Sequence, residues 1–184
     1  SDGSGAGTST AVTSTINITP MSDSPIVTTG GISASYTENG SAAVINSSIA
    51  ISDVDDIELD SAIVTISSGF TSGDTLILTT PGTLSSSFIS DSILSISGKA
   101  SIADYEVALH SISYKSSSED PTLYSSNRTI TWVATDANSD GAGAATSEGV
   151  ASIINITPIN DAPTAINLIK PHGDNIIINT LGCT

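Results

Sequence analysis

Short runs in which apolar and polar residues alternate follow one another along most of the chain. The alternation is clearest at Ile130, Trp132 and Ala134, as expected of a strand with one buried face. Each run is rich in Ile, Val, Thr or aromatic residues, and Gly, Pro, Asn and Asp separate the runs. This pattern predicts an all-β fold, a Greek-key β-sandwich. The predicted strands cover residues 32–36, 42–46, 48–52, 61–67, 75–79, 92–97, 110–114, 128–136 and 149–157.

One segment does not follow the alternation of apolar and polar residues. Ser101 is a candidate helix N-cap with Asp104 at the N3 position. The apolar residues that follow share one helical face, which predicts a short helix laid across one end of the sandwich. These residues are Ile102, Tyr105, Ala108 and Leu109. Because Tyr105, Leu109 and Trp132 each lie on a periodic apolar face, we expect them to be core residues rather than ligand platforms.

The chain contains an internal repeat. Residues 1–25 and 139–163 align without a gap at an offset of 138, and 16 of the 25 positions are identical. The repeat predicts a tandem array. In this interpretation residues 1–25 are the C-terminal end of a preceding repeat plus its linker, 26–163 form one complete repeat, and 164–184 begin a following, truncated repeat. The absence of a signal peptide in such a segment says nothing about secretion.

Composition and charge exclude several classes of function. The chain of 184 residues has 19 Asp+Glu against 4 Lys+Arg, a net charge of −15, which argues against nucleic-acid binding. No apolar run is long enough to predict membrane insertion, and a single cysteine, Cys183, cannot form an internal disulfide. No nucleophile elbow, phosphate loop or metal-binding His pair is present. We therefore expect no enzymatic activity and infer no redox role for Cys183.

The acidic residues are concentrated in turns. Asp53, Asp55 and Asp56 directly follow one predicted strand, and Asp136 ends the strand that contains Trp132. In an extended segment the Asp-x-Asp spacing directs both carboxylates to one side. Ca²⁺ takes six to eight oxygen ligands from carboxylates, carbonyls, amides and water, so this spacing favours a Ca²⁺ site.

Further acidic and amide side chains lie where repeats meet. Asn160 and Asp161 precede Pro163, Asp23 occupies the equivalent position before Pro25, and Glu38 lies near the start of the complete repeat. An alternative explanation is that Asp and Asn occupy turns for conformational reasons and for solubility. The set of Asp53, Asp55, Asp136 and Asp161 favours cation binding, because a charge of −15 needs counterions.

These motifs resemble the cadherin-like repeats, also described as bacterial immunoglobulin-like repeats, of large calcium-dependent cell-surface adhesins. The similarity lies in TENGSAAVINSSIAISDVDD (37–56), in WVATDAN (132–138) and in INITPINDAP (154–163), which follow the family's order. The stretch 95–114 also resembles an insert typical of the bacterial repeats. In that family Ca²⁺ binds at the joint between repeats.

The resemblance implies a specific ligand set. Asp53, Asp55 and Asp136, with Asp23 from the linker, would face the preceding repeat, and Glu38, Asn160 and Asp161 would face the following one. Two features depart from the family's pattern: the first joint has Ser22 where the second has Asn160, and an Asp-Arg-Glu element is missing. The upstream site is therefore the better defined. The predicted metal ligands are Asp23, Glu38, Asp53, Asp55, Asp56, Asp136, Asn160 and Asp161.

The resemblance predicts a calcium-rigidified extracellular repeat of a surface adhesin, acting in adhesion or as a spacer rod. Its partners would be neighbouring repeats, like chains or a ligand on a host or other cell surface. An alternative is a structural, glycosylated subunit of a surface filament, sheath or glycocalyx. That alternative is suggested by five Asn-x-Ser/Thr sequons, although a chain rich in Ser, Thr and Asn also contains sequons by chance. The sequons begin at Asn17, Asn39, Asn46, Asn127 and Asn155.

Overall fold

The computed structural model describes residues 3, 5, 7–139 and 141–162. They form eleven strands and one helix. In chain order these are β1 (Ile26–Thr28), β2 (Ser33–Thr37), β3 (Ala43–Val44), β4 (Ala50–Ser52), β5 (Glu58–Ser68), β6 (Asp74–Leu78), β7 (Ser85–Ser90), β8 (Ile93–Ser101), α1 (Ile102–His110), β9 (Ile112–Ser116), β10 (Asn127–Asp136) and β11 (Val150–Thr157). The predicted following repeat, residues 164–184, lies outside the described residues.

The strands form three sheets. The largest has the order β2-β11-β10-β5-β8-β7, a second has the order β3-β9-β6, and β1 pairs with β4. Neighbours in the large sheet are mostly far apart in sequence, so connections repeatedly pass from one sheet to another. The prediction of an all-β sandwich with one short helix is confirmed.

The chain enters and leaves the sandwich at opposite ends. Strand β11 pairs with β2 in parallel, whereas the other strand pairs that the structure describes are antiparallel. At one end, which we call the upstream end, Ile26 of β1 pairs with Ser52. At the downstream end, the amide of Glu38 donates to the carbonyl of Thr157, 3.0 Å away. The eight residues of β11 separate these ends by about 25 Å.

Apolar side chains between the sheets form one core. Along β10 the buried positions alternate with partly exposed ones, as the sequence pattern predicts. Trp132, Tyr105 and Leu109 are all buried in this core, so their prediction as core residues is confirmed. The indole Nε1 of Trp132 donates to the hydroxyl of Ser152 on the neighbouring strand, 3.0 Å away.

Helix α1 begins as its sequence predicts. The hydroxyl of Ser101 accepts from the amide of Asp104 at 3.2 Å and donates to the carboxylate of Asp104 at 2.7 Å. Further along the helix, the carboxylate of Glu106 accepts from the amide of Ile51 at 2.8 Å, and Nε2 of His110 lies 2.7 Å from the carbonyl of Ile49. Side chains one helical turn apart therefore contact the backbone in and beside strand β4.

A buried ion pair holds the sheets together at the Arg128 end of β10. The Nε of Arg128 lies 2.6 Å from Oδ2 of Asp74, and both side chains are fully buried. The hydroxyl of Tyr114 donates to Oδ1 of Asp74 at 2.6 Å, and the amide of Thr71 donates to Oδ2 at 2.8 Å. Arg128 also donates to the carbonyl of Pro121 at 2.6 Å. Both charges therefore keep hydrogen-bond partners in place of water.

The first copy of the repeat has a different structure from the second. Residues 11–19 form no strand, although they are equivalent to 149–157, which contain β11. Interior strand β11 is held by β10 and β2 on its two edges, and residues 11–19 have no such neighbours in the described chain. The tandem organisation stays a prediction.

Candidate metal centre

The turn between β4 and β5 is built by an aspartate. Oδ1 of Asp53 accepts from the amides of Asp55 and Asp56, at 3.1 and 3.0 Å. Such side-chain-to-backbone bonds are a common reason why Asp favours turns. The bend brings carboxylate oxygens of Asp53, Asp55 and Asp56 within 4.8 Å of one another. They approach because the segment turns, whereas the prediction from the Asp-x-Asp spacing assumed an extended segment.

Each of the three carboxylates keeps one oxygen that is buried and has no hydrogen-bond partner. These atoms are Oδ2 of Asp53, Oδ1 of Asp55 and Oδ2 of Asp56. Asp56 is only 2% exposed. A buried carboxylate oxygen without a donor is costly, so these atoms favour a cation or a shared proton as a partner. We call these three residues the aspartate cluster.

The upstream linker contacts the aspartate cluster. The amide of Asp23 donates to Oδ2 of Asp55 at 3.1 Å. The hydroxyl of Ser22, the preceding residue, is buried and also has no partner. The cluster therefore lies where the linker meets the sandwich. Ser22 was not among the predicted ligands, although its place in the first joint is evident from the repeat.

The loop after β10 positions Asp56. Oδ1 of Asp136 accepts from the amide of Asn138 at 2.9 Å, and Oδ2 accepts from the amide of Ala145 at 2.8 Å. The closed loop directs the amide and the hydroxyl of Ser139 to Oδ1 of Asp56. Asp136 is fully buried and lies outside the group of three, so its observed contacts are those of a positioning residue. Its role as a direct ligand stays a prediction.

A second group of predicted ligands lies at the downstream end. Glu38 is only 2% exposed, and its Oε2 accepts from the amide of Ile159 at 2.8 Å. Its other carboxylate oxygen, Oε1, is buried and has no partner. Asn160 and Asp161 follow in the downstream linker and are both exposed. The structure thus brings Glu38 to this linker and separates it from the aspartate cluster by the length of the sandwich.

The pKa values of two cluster residues move in opposite directions. For Asp53, burial raises the pKa, but hydrogen bonds from the Asp56 amide, the Asp55 carboxyl and nearby amides outweigh it and lower the pKa below its ordinary value. For Asp55, the hydrogen bond with the Asp53 carboxyl raises the pKa, the Asp23 amide opposes it, and burial and the charge of Asp53 add to the increase. The two carboxyls therefore compete for one proton, as close like charges do.

No basic side chain neutralises the aspartate cluster within the part of the chain that the structure describes. The two ion pairs found there join Lys99 to Glu58 and Arg128 to Asp74. Carboxylates are hard oxygen donors of the kind that Ca²⁺ and Mg²⁺ prefer. The arrangement fits a divalent cation, which would satisfy the unpaired oxygens and the uncompensated charge together.

The fold and the cluster define a class: an all-β sandwich whose upstream end carries an acidic site able to hold a metal ion. Comparison with protein-family models, curated proteins and solved structures gave no match to this chain. Within the described residues, no helix is long and apolar enough to cross a membrane.

Proposed function

We propose that this chain is a repeat of an extracellular cell-surface adhesin, in which Ca²⁺ at the joints stiffens a rod of consecutive repeats. The observation that carries the proposal is the set of unpaired buried oxygens on Asp53, Asp55 and Asp56, at the point where linker residue Asp23 contacts the sandwich. A cation held there restrains the linker against the sandwich.

The internal repeat supports a site that two neighbouring repeats share. At the offset of 138, Ile159 is equivalent to Met21 and Asp161 to Asp23. Glu38 accepts from the amide of Ile159, whereas Asp55 accepts from the amide of Asp23. One linker would therefore be held by the Glu38 of the preceding repeat and, two residues later, by the Asp55 of the following repeat. Two residues span at most about 7 Å, so the glutamate would lie close to the next aspartate cluster.

The attachment of the two linkers at opposite ends of the sandwich suits a spacer. Because the chain enters and leaves at opposite ends, successive repeats would extend in a line rather than fold back. Extracellular modules bind Ca²⁺ with dissociation constants of about 10⁻⁴ to 10⁻³ M, so extracellular calcium would keep the joints occupied. The proposed location is outside the cell, with neighbouring repeats as the first partners and like chains or a surface ligand as further ones.

Calcium titration with amide hydrogen exchange tests the proposal. We expect Ca²⁺ to bind, to raise the thermal midpoint relative to EDTA, and to slow exchange in residues 20–25 and 53–56. Slower exchange in the linker would report its restraint against the sandwich. Mg²⁺ at equal concentration serves as the control, because it keeps its water ligands more firmly. Unchanged exchange in residues 20–25 at saturating Ca²⁺ would contradict the stiffening mechanism.

A second candidate is a glycosylated subunit of a surface filament, sheath or glycocalyx. It is favoured by the exposure of the sequon residues Asn17, Asn39, Asn127 and Asn155. The remaining sequon residue, Asn46, is buried and therefore cannot accept a glycan in the folded chain. Its amide nitrogen donates to the carbonyl of Thr29 and the hydroxyl of Ser152. Intact-mass measurement of native material separates the candidates, since only the second requires attached glycans.

A further inference from the structure

Strand β7 is an open edge of the six-stranded sheet. It stands last in the sheet order, and among the described strands it pairs with β8 alone. All six of its residues are exposed. Edge strands are normally protected by charged side chains, by proline or by a covering element. Residues 85–90 contain neither a charged residue nor a proline, although the chain has a net charge of −15. The edge is therefore open to a further strand.

The register shows which backbone groups face this open edge. The amide of Ile66 on β5 donates to the carbonyl of Ser92, so even-numbered residues of β8 face β5 and odd-numbered ones face β7. The two odd-numbered residues of β7 before Phe88 pair with odd-numbered residues of β8. Ser86 and Phe88 therefore direct their N–H and C=O groups to the open edge, where they have no partner among the described residues.

Phe88 lies on the core side of the sheet but is not covered. It pairs with Leu94, which is 2% exposed, and cross-strand partners share one face of a sheet. Phe88 itself is 53% exposed, because the six-stranded sheet is wider than the three-stranded sheet. A cavity of about 260 Å³ lies beside Phe88, Asp91 and Thr75 of β6. An aromatic ring at an open edge offers a contact to the side chains of an added strand.

Strand β7 is complementary to a second copy of itself. An antiparallel copy related by a two-fold axis at Ser87 places Ser86 of each chain opposite Phe88 of the other. The free N–H and C=O groups of these residues would then form four hydrogen bonds. The two Phe88 rings would be diagonal neighbours on the core side, about 7–8 Å apart and within reach of each other. Each ring would therefore cover part of the exposed surface of the other.

The charges beside β7 are also complementary in this arrangement. Lys99 lies two residues beyond the β8 partner of Ser85, and Asp91 directly follows the other end of β7. Antiparallel pairing brings Lys99 of one copy and Asp91 of the other to the same corner, two strand spacings or about 10 Å apart. Asp91 is exposed, and the side chain of Lys99 is 54% exposed beside Glu58. Each pair of copies would have two such corners.

We propose that β7 strands of two copies of this chain pair antiparallel and join their six-stranded sheets into one. Because β7 has a single open edge, the contact closes as a two-fold dimer and does not extend further. Strand β7 lies in the same sheet as β11, which runs between the two ends of the sandwich, so the two sandwiches point in opposite directions. Resting on the proposed function, this contact joins rods that project from facing surfaces, which makes the repeat adhesive as well as a spacer.

Disulfide trapping tests the pairing on the full chain with Cys183→Ser. Ser87→Cys places two thiols at the two-fold axis with Cα atoms about 4.5 Å apart, which a disulfide can join. Ser85→Cys is the matched control: it is exposed on the same strand and face, but its two copies would lie about 14 Å apart. Both are oxidised in EDTA. We expect the Ser87→Cys yield to rise with chain concentration and to exceed that of Ser85→Cys at least about tenfold.

Two variants of the Ser87→Cys chain test the contacts. Ser86→Pro removes an N–H that faces the open edge and not β8, so the monomer keeps its fold. The loss of two hydrogen bonds per dimer should lower the yield about tenfold or more. Asp91→Lys places a positive charge near Lys99 of the second copy and should also lower the yield. Non-specific association would instead increase, because the chain becomes less negative. The thermal midpoints of the reduced variants verify that both are folded.

The outcomes are distinct. Equal trapping at positions 85 and 87, an undiminished yield with Ser86→Pro, or a higher yield with Asp91→Lys would each overturn the proposal. The pairing uses no residue of the aspartate cluster, and the experiment is done in EDTA. Its failure would therefore leave the calcium response of the chain unaffected, and a missing calcium response would leave the strand pairing unaffected.

Discussion

Replacing Asp55 by Asn provides the most direct test of the aspartate cluster. The substitution removes one charge and one carboxylate ligand, yet the amide oxygen can still accept from the backbone of Asp23. Without metal, the neighbouring carboxylates, whose oxygens lie within 4.8 Å of one another, repel each other. We therefore expect D55N to be slightly more stable than the wild-type chain in EDTA.

Calcium should stabilise the wild-type chain more than it stabilises D55N. With a dissociation constant of about 10⁻⁴ to 10⁻³ M, 10 mM Ca²⁺ stabilises the wild-type chain by about 1.4 to 2.7 kcal/mol. If the loss of one carboxylate weakens binding about tenfold, D55N gains only about 0.4 to 1.4 kcal/mol. At about 2–4 °C per kcal/mol for a chain of this length, the wild-type midpoint should rise by roughly 3–11 °C.

Thermal unfolding of both chains in EDTA and in 10 mM CaCl₂, at matched ionic strength, measures these differences. Asp91→Asn is the control. Asp91 is exposed in the turn between β7 and β8, and its substitution changes the net charge by the same amount as D55N. Its calcium increment should equal that of the wild-type chain. The reasoning fails if D55N gains as much from calcium as the wild-type chain does, or if neither chain responds.

Three other predictions concern the framework. Arg128→Met leaves Asp74 buried without its counter-charge and should cost about 3 kcal/mol or more in urea unfolding, whereas Lys99→Met, which breaks an exposed pair, should cost less than about 1 kcal/mol. Ser101→Ala removes the helix cap and should cost about 1 kcal/mol, seen as a lower thermal midpoint. Burial, together with the charge of Asp60, raises the pKa of Tyr105 to about 12. The folded state therefore holds this proton more firmly than the unfolded state does. The urea midpoint of the wild-type chain should be level below pH 10 and fall between pH 10 and 12. It should fall less over that range in Tyr105→Phe.

Local patterns predicted the features that depend on neighbouring residues. The helix cap, the alternation in β10 and the turn at Asp53 each arise from residues within a few positions of one another. Strand β7 was missed because it is exposed along its whole length and so has no alternation to detect. Strand β1 was missed because it has only three residues, too few to define a period.

Contacts across the sandwich were beyond local patterns. Arg128 and Asp74 are 54 positions apart, and no sequence pattern pairs them. Asp136 was predicted as a ligand from its place at the end of a strand. Only the loop geometry reveals that both of its oxygens accept from backbone amides. The sequon at Asn46 likewise gives no sign that its side chain is a buried partner of Ser152.

The carboxylates of the sandwich fall into two groups: Asp74, in which both oxygens are paired, and the residues at the two ends, each of which has one buried oxygen without a partner. Asp74 is surrounded by Arg128, Tyr114 and an amide, and each of its oxygens has a partner. The same fold leaves one oxygen on each residue of the aspartate cluster, and one on Glu38, without any partner. Those unpaired oxygens lie at the two ends of the sandwich, where linkers attach, and not in its middle. Since the fold can neutralise a buried carboxylate where only stability is required, we infer that the unpaired oxygens at the ends await a ligand from outside the sandwich.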